Sequence, residues 1–130
     1  MLTWQREYET GIQFIDEQHK MLFEIGNKAY DLFRNEYTID KYDNIVEIIQ
    51  ELKDYTVFHF SAEEEYLLKV GYKGFFAHKV EHDDFISKFN EINYDRIDDG
   101  QNEYITELLD FIFTWIKEHI LIRDMQLSNK

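Results

Sequence analysis

Five histidines are spread along this 130-residue chain, and each stands at a spacing that metal chemistry can use. His59 precedes Glu63, His78 precedes His82, His119 precedes Asp124, and His19 closes the run Ile15-Asp16-Glu17-Gln18-His19. Neutral imidazole is the commonest protein metal ligand. With carboxylates beside it and no cysteine in the chain, the donor set is hard to borderline, and thiolate sites, iron–sulfur clusters and disulfides are excluded. Residues four apart are neighbours on a helix surface, so His59 with Glu63, and His78 with His82, can each present two donor atoms to one place. A five-residue step turns about 500° and leaves Asp124 about 140° from His119 on an ideal helix. Asp124 is therefore the least well placed of the seven, and joins them only if its carboxylate reaches round or the helix distorts locally.

Taken singly, a core histidine bonded to a carbonyl is commoner than a ligand, and Glu63 could be a solvated helix residue like its neighbours Glu64 and Glu65. The set resists that reading, because five independent core histidines would all need partners. Five imidazoles and two carboxylates are also too many ligands for one ion. Two octahedral ions accommodate them. If both carboxylates bridge, with an oxo or hydroxo group as the third link, three histidines complete one ion. Two histidines then leave the other ion with one position open, facing a dry pocket where a small molecule would bind. Carboxylate-bridged octahedral pairs suit iron or manganese, and imidazole suits iron as well, so iron fits best; zinc is the alternative. The ferritin-like di-iron bundles carry Glu-x-x-His motifs, which this chain lacks at all five histidines.

The elements that must position these side chains are helices. There is no proline and there are only five glycines, so the usual strand and turn punctuation is scarce. The spacing predicts an all-α chain with an arm over about residues 1–11 and helices over about 12–35, 40–70, 74–95 and 101–127. The inward set of the first is Ile15, His19, Leu22, Phe23, Gly26, Ala29, Tyr30 and Phe33. The second presents Ile45, Ile48, Leu52, Tyr55, His59, Glu63, Tyr66 and Val70. The third presents Phe75, His78, His82, Phe85, Phe89 and Ile92, and the last Ile105, Leu108, Ile112, Trp115, His119 and Ile122. In the third and fourth sets the gaps alternate three and four, which marks the seam of helices packed nearly parallel in a bundle. Breaks at 36–39, 71–73 and 97–100 are short, which forces neighbours antiparallel. The expectation is a single domain over 1–130: an antiparallel up-down-up-down four-helix bundle with an N-terminal arm. Trp4 is expected to anchor that arm over one end, and Tyr55, Tyr66 and Trp115 to be core. The histidines fall on the apolar faces, where bare burial costs several kcal/mol per polar group, so they must be paired or metal-bound.

Composition narrows the partners. Hydrophobic residues make up 44% of the chain, which rules out a disordered reading. Lys and Arg total 14 against 27 Asp and Glu, a net charge of −13, which repels phosphate backbones and anionic headgroups. Nucleic acid and membrane are therefore not expected as partners. The start, Met1 to Glu7, is too polar for a signal peptide, and no apolar run approaches the ~20 residues of a membrane span. The chain reads as soluble and cytoplasmic.

In these residues the chain resembles the hemerythrins, in particular the single-domain bacterial ones. The resemblance is carried by Trp4 in the arm, Gly11-Ile12 to His19, His59-Phe60 with Glu63-Glu64, His78 with His82, and His119-Ile120 with Asp124. It implies a bundle holding a non-haem di-iron centre that binds O₂ reversibly, as a hydroperoxide, at one open iron position. By that resemblance His78, His82 and His119 would fill the saturated iron, His19 and His59 would bind the iron with the open position, and Glu63 and Asp124 would bridge. Ile122, one turn beyond His119, would line the O₂ pocket, with plain core packing as the other reading. No residue is assigned a catalytic role. Oxygen binding, storage or delivery is the expected function, with a di-iron scavenger enzyme reducing O₂ or peroxide, or an O₂ sensor, as alternatives. The partners expected are O₂, or else peroxide or another small diatomic, and an unidentified redox partner.

Overall fold

A computed structural model describes residues 3–35 and 40–128. Four long helices account for most of them: α1 (Gln13–Arg34), α2 (Lys41–Lys69), α3 (Phe75–Asn90) and, after a short α4 (Tyr94–Asp98), α5 (Asn102–Ile122). Short 3₁₀ turns lie at Arg6–Tyr8 and Asp124–Ser128, and there is no strand among the described residues. The expected break at 36–39 lies outside the described residues.

Cross-helix contacts set the topology. Gly26 meets Phe113, and Tyr30 bonds Asp110, so α1 and α5 run antiparallel. Lys53 bonds Asn90 while His82 meets Glu64, so α2 and α3 do too. Phe85 stacks on Trp115 as His82 meets His119, which orients α3 against α5. The expected up-down-up-down bundle is the one observed.

Local chemistry explains the turns. Asp16 in the first turn of α1 accepts from Thr10 N at 2.8 Å, Thr10 Oγ1 at 2.8 Å and Gly11 N at 3.1 Å, tying the arm to the helix start as a capping side chain does. Gly11 takes φ +85° there. At the end of α2, Gly71 sits at φ +67° and the Tyr72 amide donates to Leu67 O at 2.9 Å, a Schellman closure that turns the chain into α3.

Five expectations about the elements and their aromatic residues need correction. The third helix does not run on to residue 95: it ends at Asn90, and Asn93 Oδ1 accepts from Arg96 N to start α4. A short polar side chain that can bond the backbone favours such a restart. The last helix stops at Ile122, not near 127, and continues as a 3₁₀ turn. In α2 the buried phase is Ile45, Ile49, Leu52, Thr56, His59, Phe60, Glu63 and Leu67. Ile48, Tyr55 and Tyr66 are only half-buried and Val70 is exposed; a stripe on a straight helix drifts against any strict repeat over 29 residues. Trp115 is likewise half-buried. Trp4 packs on the side of α1, against Tyr8 and Phe23 with ring centroids 5.5 and 5.3 Å away and near His19 at 6.5 Å, not over the bundle's end.

The core falls into two parts. The larger includes Phe23, Ile49, Phe60, Phe85, Leu109 and Ile120. The smaller is Ile15, Leu67 and Leu127, backed by Ile12, Phe14, Tyr66, Tyr72 and Phe75. The polar cluster of the seven residues lies between them, so apolar packing seals it at both ends.

Candidate metal centre

All seven side chains meet. His19 comes from α1, His59 and Glu63 from α2, His78 and His82 from α3, His119 from α5, and Asp124 from the 3₁₀ turn that follows. Each is buried, and the most exposed, His119, is only 6% accessible. Asp124 reaches the cluster because regular α-helix ends before it: Arg123 caps α5 at φ −95°, ψ −52°, and the tighter turn from Asp124 onward changes the angular phase. The 140° misfit of an ideal helix is removed by that break.

Every histidine offers its Nε2 to the carboxylates. Glu63 Oε1 lies 2.5 Å from His78 Nε2 and 3.3 Å from His82 Nε2. Its other oxygen, Oε2, lies 3.3 Å from His59 Nε2 and 3.9 Å from His19 Nε2. Asp124 divides in the same way: Oδ1 is 2.8 Å from His78 and 3.3 Å from His119, while Oδ2 is 3.0 Å from His19. Two groups of donor atoms result, each mutually within 4.8 Å: Glu63, His78, His82 and His119 in one, and His19, His59, Glu63 and Asp124 in the other. Either group could hold a metal ion.

The hydrogen bonds at the back of the rings show what the front requires. His59 Nδ1 donates to Gln18 Oε1 at 2.7 Å, His82 Nδ1 to Glu64 Oε2 at 2.8 Å, and His119 Nδ1 to Glu81 Oε1 at 3.0 Å. With the proton committed to Nδ1, the neutral ring turns a lone pair inward from Nε2. The lone pairs of His82 and His119 then face each other across 3.1 Å, and that of His59 faces a carboxylate oxygen. A cation between them resolves the conflict. Glu63 Oε2, Asp124 Oδ2 and both ring nitrogens of His19 have no hydrogen-bond partner although buried, a cost that metal coordination removes. The residues present therefore fit metal ions.

Without metal, protons take the load. Burial opposes charge on His78, but Asp124 and Glu63 outweigh it and push its pKa up to about 9; His82 is also raised, burial being outweighed by Glu63 and Glu64. Burial pushes His59 down. Glu63 and Asp124 are held below the ordinary carboxylate range: burial raises both, and the surrounding histidines more than reverse it.

Aromatic rings fix the imidazole planes. Phe60 stacks on His82 at 3.7 Å and 0°, and Trp115 on His119 at 4.6 Å and 10°.

Gln18, Glu64, Glu81 and Arg123, which pairs with Glu81, were not singled out by sequence reasoning. Glu64 is no solvated bystander: its side chain is 17% accessible and tied to His82 and Lys79. The only hint is that Gln18, Glu64, Glu81 and Arg123 each adjoin one of the seven residues while bonding across to another helix. The Ile122 expectation fails. Ile122 is 60% exposed and borders an outer hollow with Glu81, Trp115, Glu118, His119 and Arg123, because a three-residue step places it on the outer flank of the last turn. Ile120, 1% exposed, is the isoleucine that points inward from this turn.

Residues 10–129 match the model of the hemerythrin HHE cation-binding domain. The chain belongs to the hemerythrin family. A bacteriohemerythrin of Clostridium acetobutylicum is 55% identical over 126 residues, 97% of this chain and 98% of that protein. One from Methylococcus capsulatus is 31% identical, covering 92% and 88% of the two chains. A crystal structure of a wild-type hemerythrin superposes with a TM-score of 0.82 at 28% identity, covering 99% of this chain and 96% of the other. Hemerythrins bind O₂ at a di-iron centre, and the cation-binding description fits the donor groups found here. No helix among the described residues is long and apolar enough to cross a membrane.

Proposed function

We propose that this hemerythrin-family chain binds O₂ reversibly at two iron ions and serves in oxygen storage or delivery. His78, His82 and His119 would hold one ion, His19 and His59 would hold the other, and Glu63 and Asp124 would serve both, with an oxo or hydroxo group as the expected third link. A bound ferrous pair supplies two electrons and one open coordination position for O₂. The observation that carries this reading is the division of each carboxylate, one oxygen toward each donor group.

The chain's own residues do the rest. Phe60 and Trp115 hold His82 and His119 in plane by stacking. Trp4 lies beside His19 with ring centroids 6.5 Å apart and is backed by Tyr8 and Phe23, which puts aromatic surface on the His19 side. Among the described residues, the buried side chains beyond the seven that carry a hydroxyl are Thr10, Thr56 and Tyr8. Thr10 is bonded to Asp16, and Thr56 donates to Leu52 O at 2.7 Å. Burial and the neighbouring Glu7 raise the pKa of the Tyr8 phenol, which makes it a reluctant source of the protons that reductive O–O cleavage consumes and favours binding over turnover.

The test is metal analysis with visible spectroscopy on the reduced protein before and after air. About two irons per chain and a charge-transfer band that disappears on removing O₂ are expected. One zinc per chain, or irreversible bleaching on first exposure, would overturn the proposal.

A further inference from the structure

The two donor groups differ behind their histidines. In the three-histidine group, two of the rings donate from Nδ1 to carboxylates: His82 to Glu64 at 2.8 Å and His119 to Glu81 at 3.0 Å. In the two-histidine group the corresponding partner of His59 is the neutral amide oxygen of Gln18, at 2.7 Å, and His19 Nδ1 has no partner. A carboxylate behind an imidazole fixes its tautomer and makes Nε2 a stronger donor, and such partners are typically worth about 10–100-fold in metal affinity. An amide fixes the tautomer without adding charge. Glu64 and Glu81 are themselves held in place, by Lys79 at 3.3 Å and by Arg123, so their orientation does not depend on the metal.

We infer that Glu64 and Glu81 are positioning residues that make the three-histidine position the tighter of the two, so that it fills first and the position served by Gln18 fills second. This rests on the two-ion reading above. The third imidazole favours the same order, so the experiment must separate the backing carboxylates from the ligand count.

Metal-free protein is titrated with Co²⁺ under nitrogen, following ligand-field absorption and heat. The wild-type chain is expected to take up two ions in resolved steps. Glu64→Gln and Glu81→Gln keep an acceptor oxygen and remove its charge; each is expected to weaken the first step by about 10–100-fold and leave the second nearly unchanged. Gln18→Glu adds the missing charge behind His59 and is expected to strengthen the second step by about tenfold, a gain that a folding defect cannot produce. Equal shifts of both steps, no shift in the Gln variants, or a Gln18→Glu gain in the first step would overturn the inference and leave the two-ion reading standing. Uptake of a single Co²⁺ per chain by the wild type would overturn both.

Discussion

Removing the metal should turn the site into a proton trap whose strength depends on pH. His78 titrates near 9 in the folded metal-free chain, against 6.5 ordinarily. Between those values the folded state holds a proton that the unfolded chain has released, so folding stability falls as pH rises. The 2.5-unit span corresponds to about 3 kcal/mol at most, and His82, raised in the same direction, adds to the trend. His59 works on the other side: its pKa is depressed by burial, so stability falls as pH drops below 6.5, where the unfolded chain gains a proton that the folded site refuses. The carboxylates, depressed as well, lose their contribution only in more acidic solution. The metal-free chain is therefore expected to be most stable near pH 6.5 and to lose up to about 3 kcal/mol by pH 9. In the loaded protein the Nε2 atoms bind metal in place of protons, so its stability should stay level or rise over the same interval. Guanidinium unfolding of both forms at pH 6.5, 7.5 and 9 measures this. A flat profile for the metal-free chain, or a parallel decline in the loaded one, would refute the reasoning.

Glu63→Gln and Asp124→Asn each remove the charge of a carboxylate that serves both donor groups, and iron content is expected to fall from about two per chain to one or fewer, read by metal analysis after equal loading. A Cβ on Gly26 would lie 2.1 Å from Phe113 Cε1, so Gly26→Ala should force α1 and α5 apart and cost about 1–3 kcal/mol in denaturant unfolding. Ile120→Ala is expected to cost about 2–5 kcal/mol, whereas Ile122→Ala, at an exposed site, should stay within about 0.5 kcal/mol and leave the autoxidation half-life of the oxygenated protein unchanged.

Residue types and short spacings were enough to pick out six of the seven clustered side chains and the antiparallel bundle, because helical neighbours at i and i+4 and apolar periodicity are local properties. His59 with Glu63 and His78 with His82 needed nothing beyond one turn of helix each. Tertiary structure decided the rest. Asp124 enters the site through a change from α-helix to 3₁₀ turn that its five-residue spacing does not reveal. The outward exposure of Ile122 and the buried phase of α2 depend on how each helix is rotated against its neighbours. Gln18, Glu64 and Glu81 gain their roles from histidines 41, 18 and 38 residues away, on facing helices. Such pairings arise when the bundle closes, since a side chain's partner across a helix interface is set by packing and not by its place in the chain.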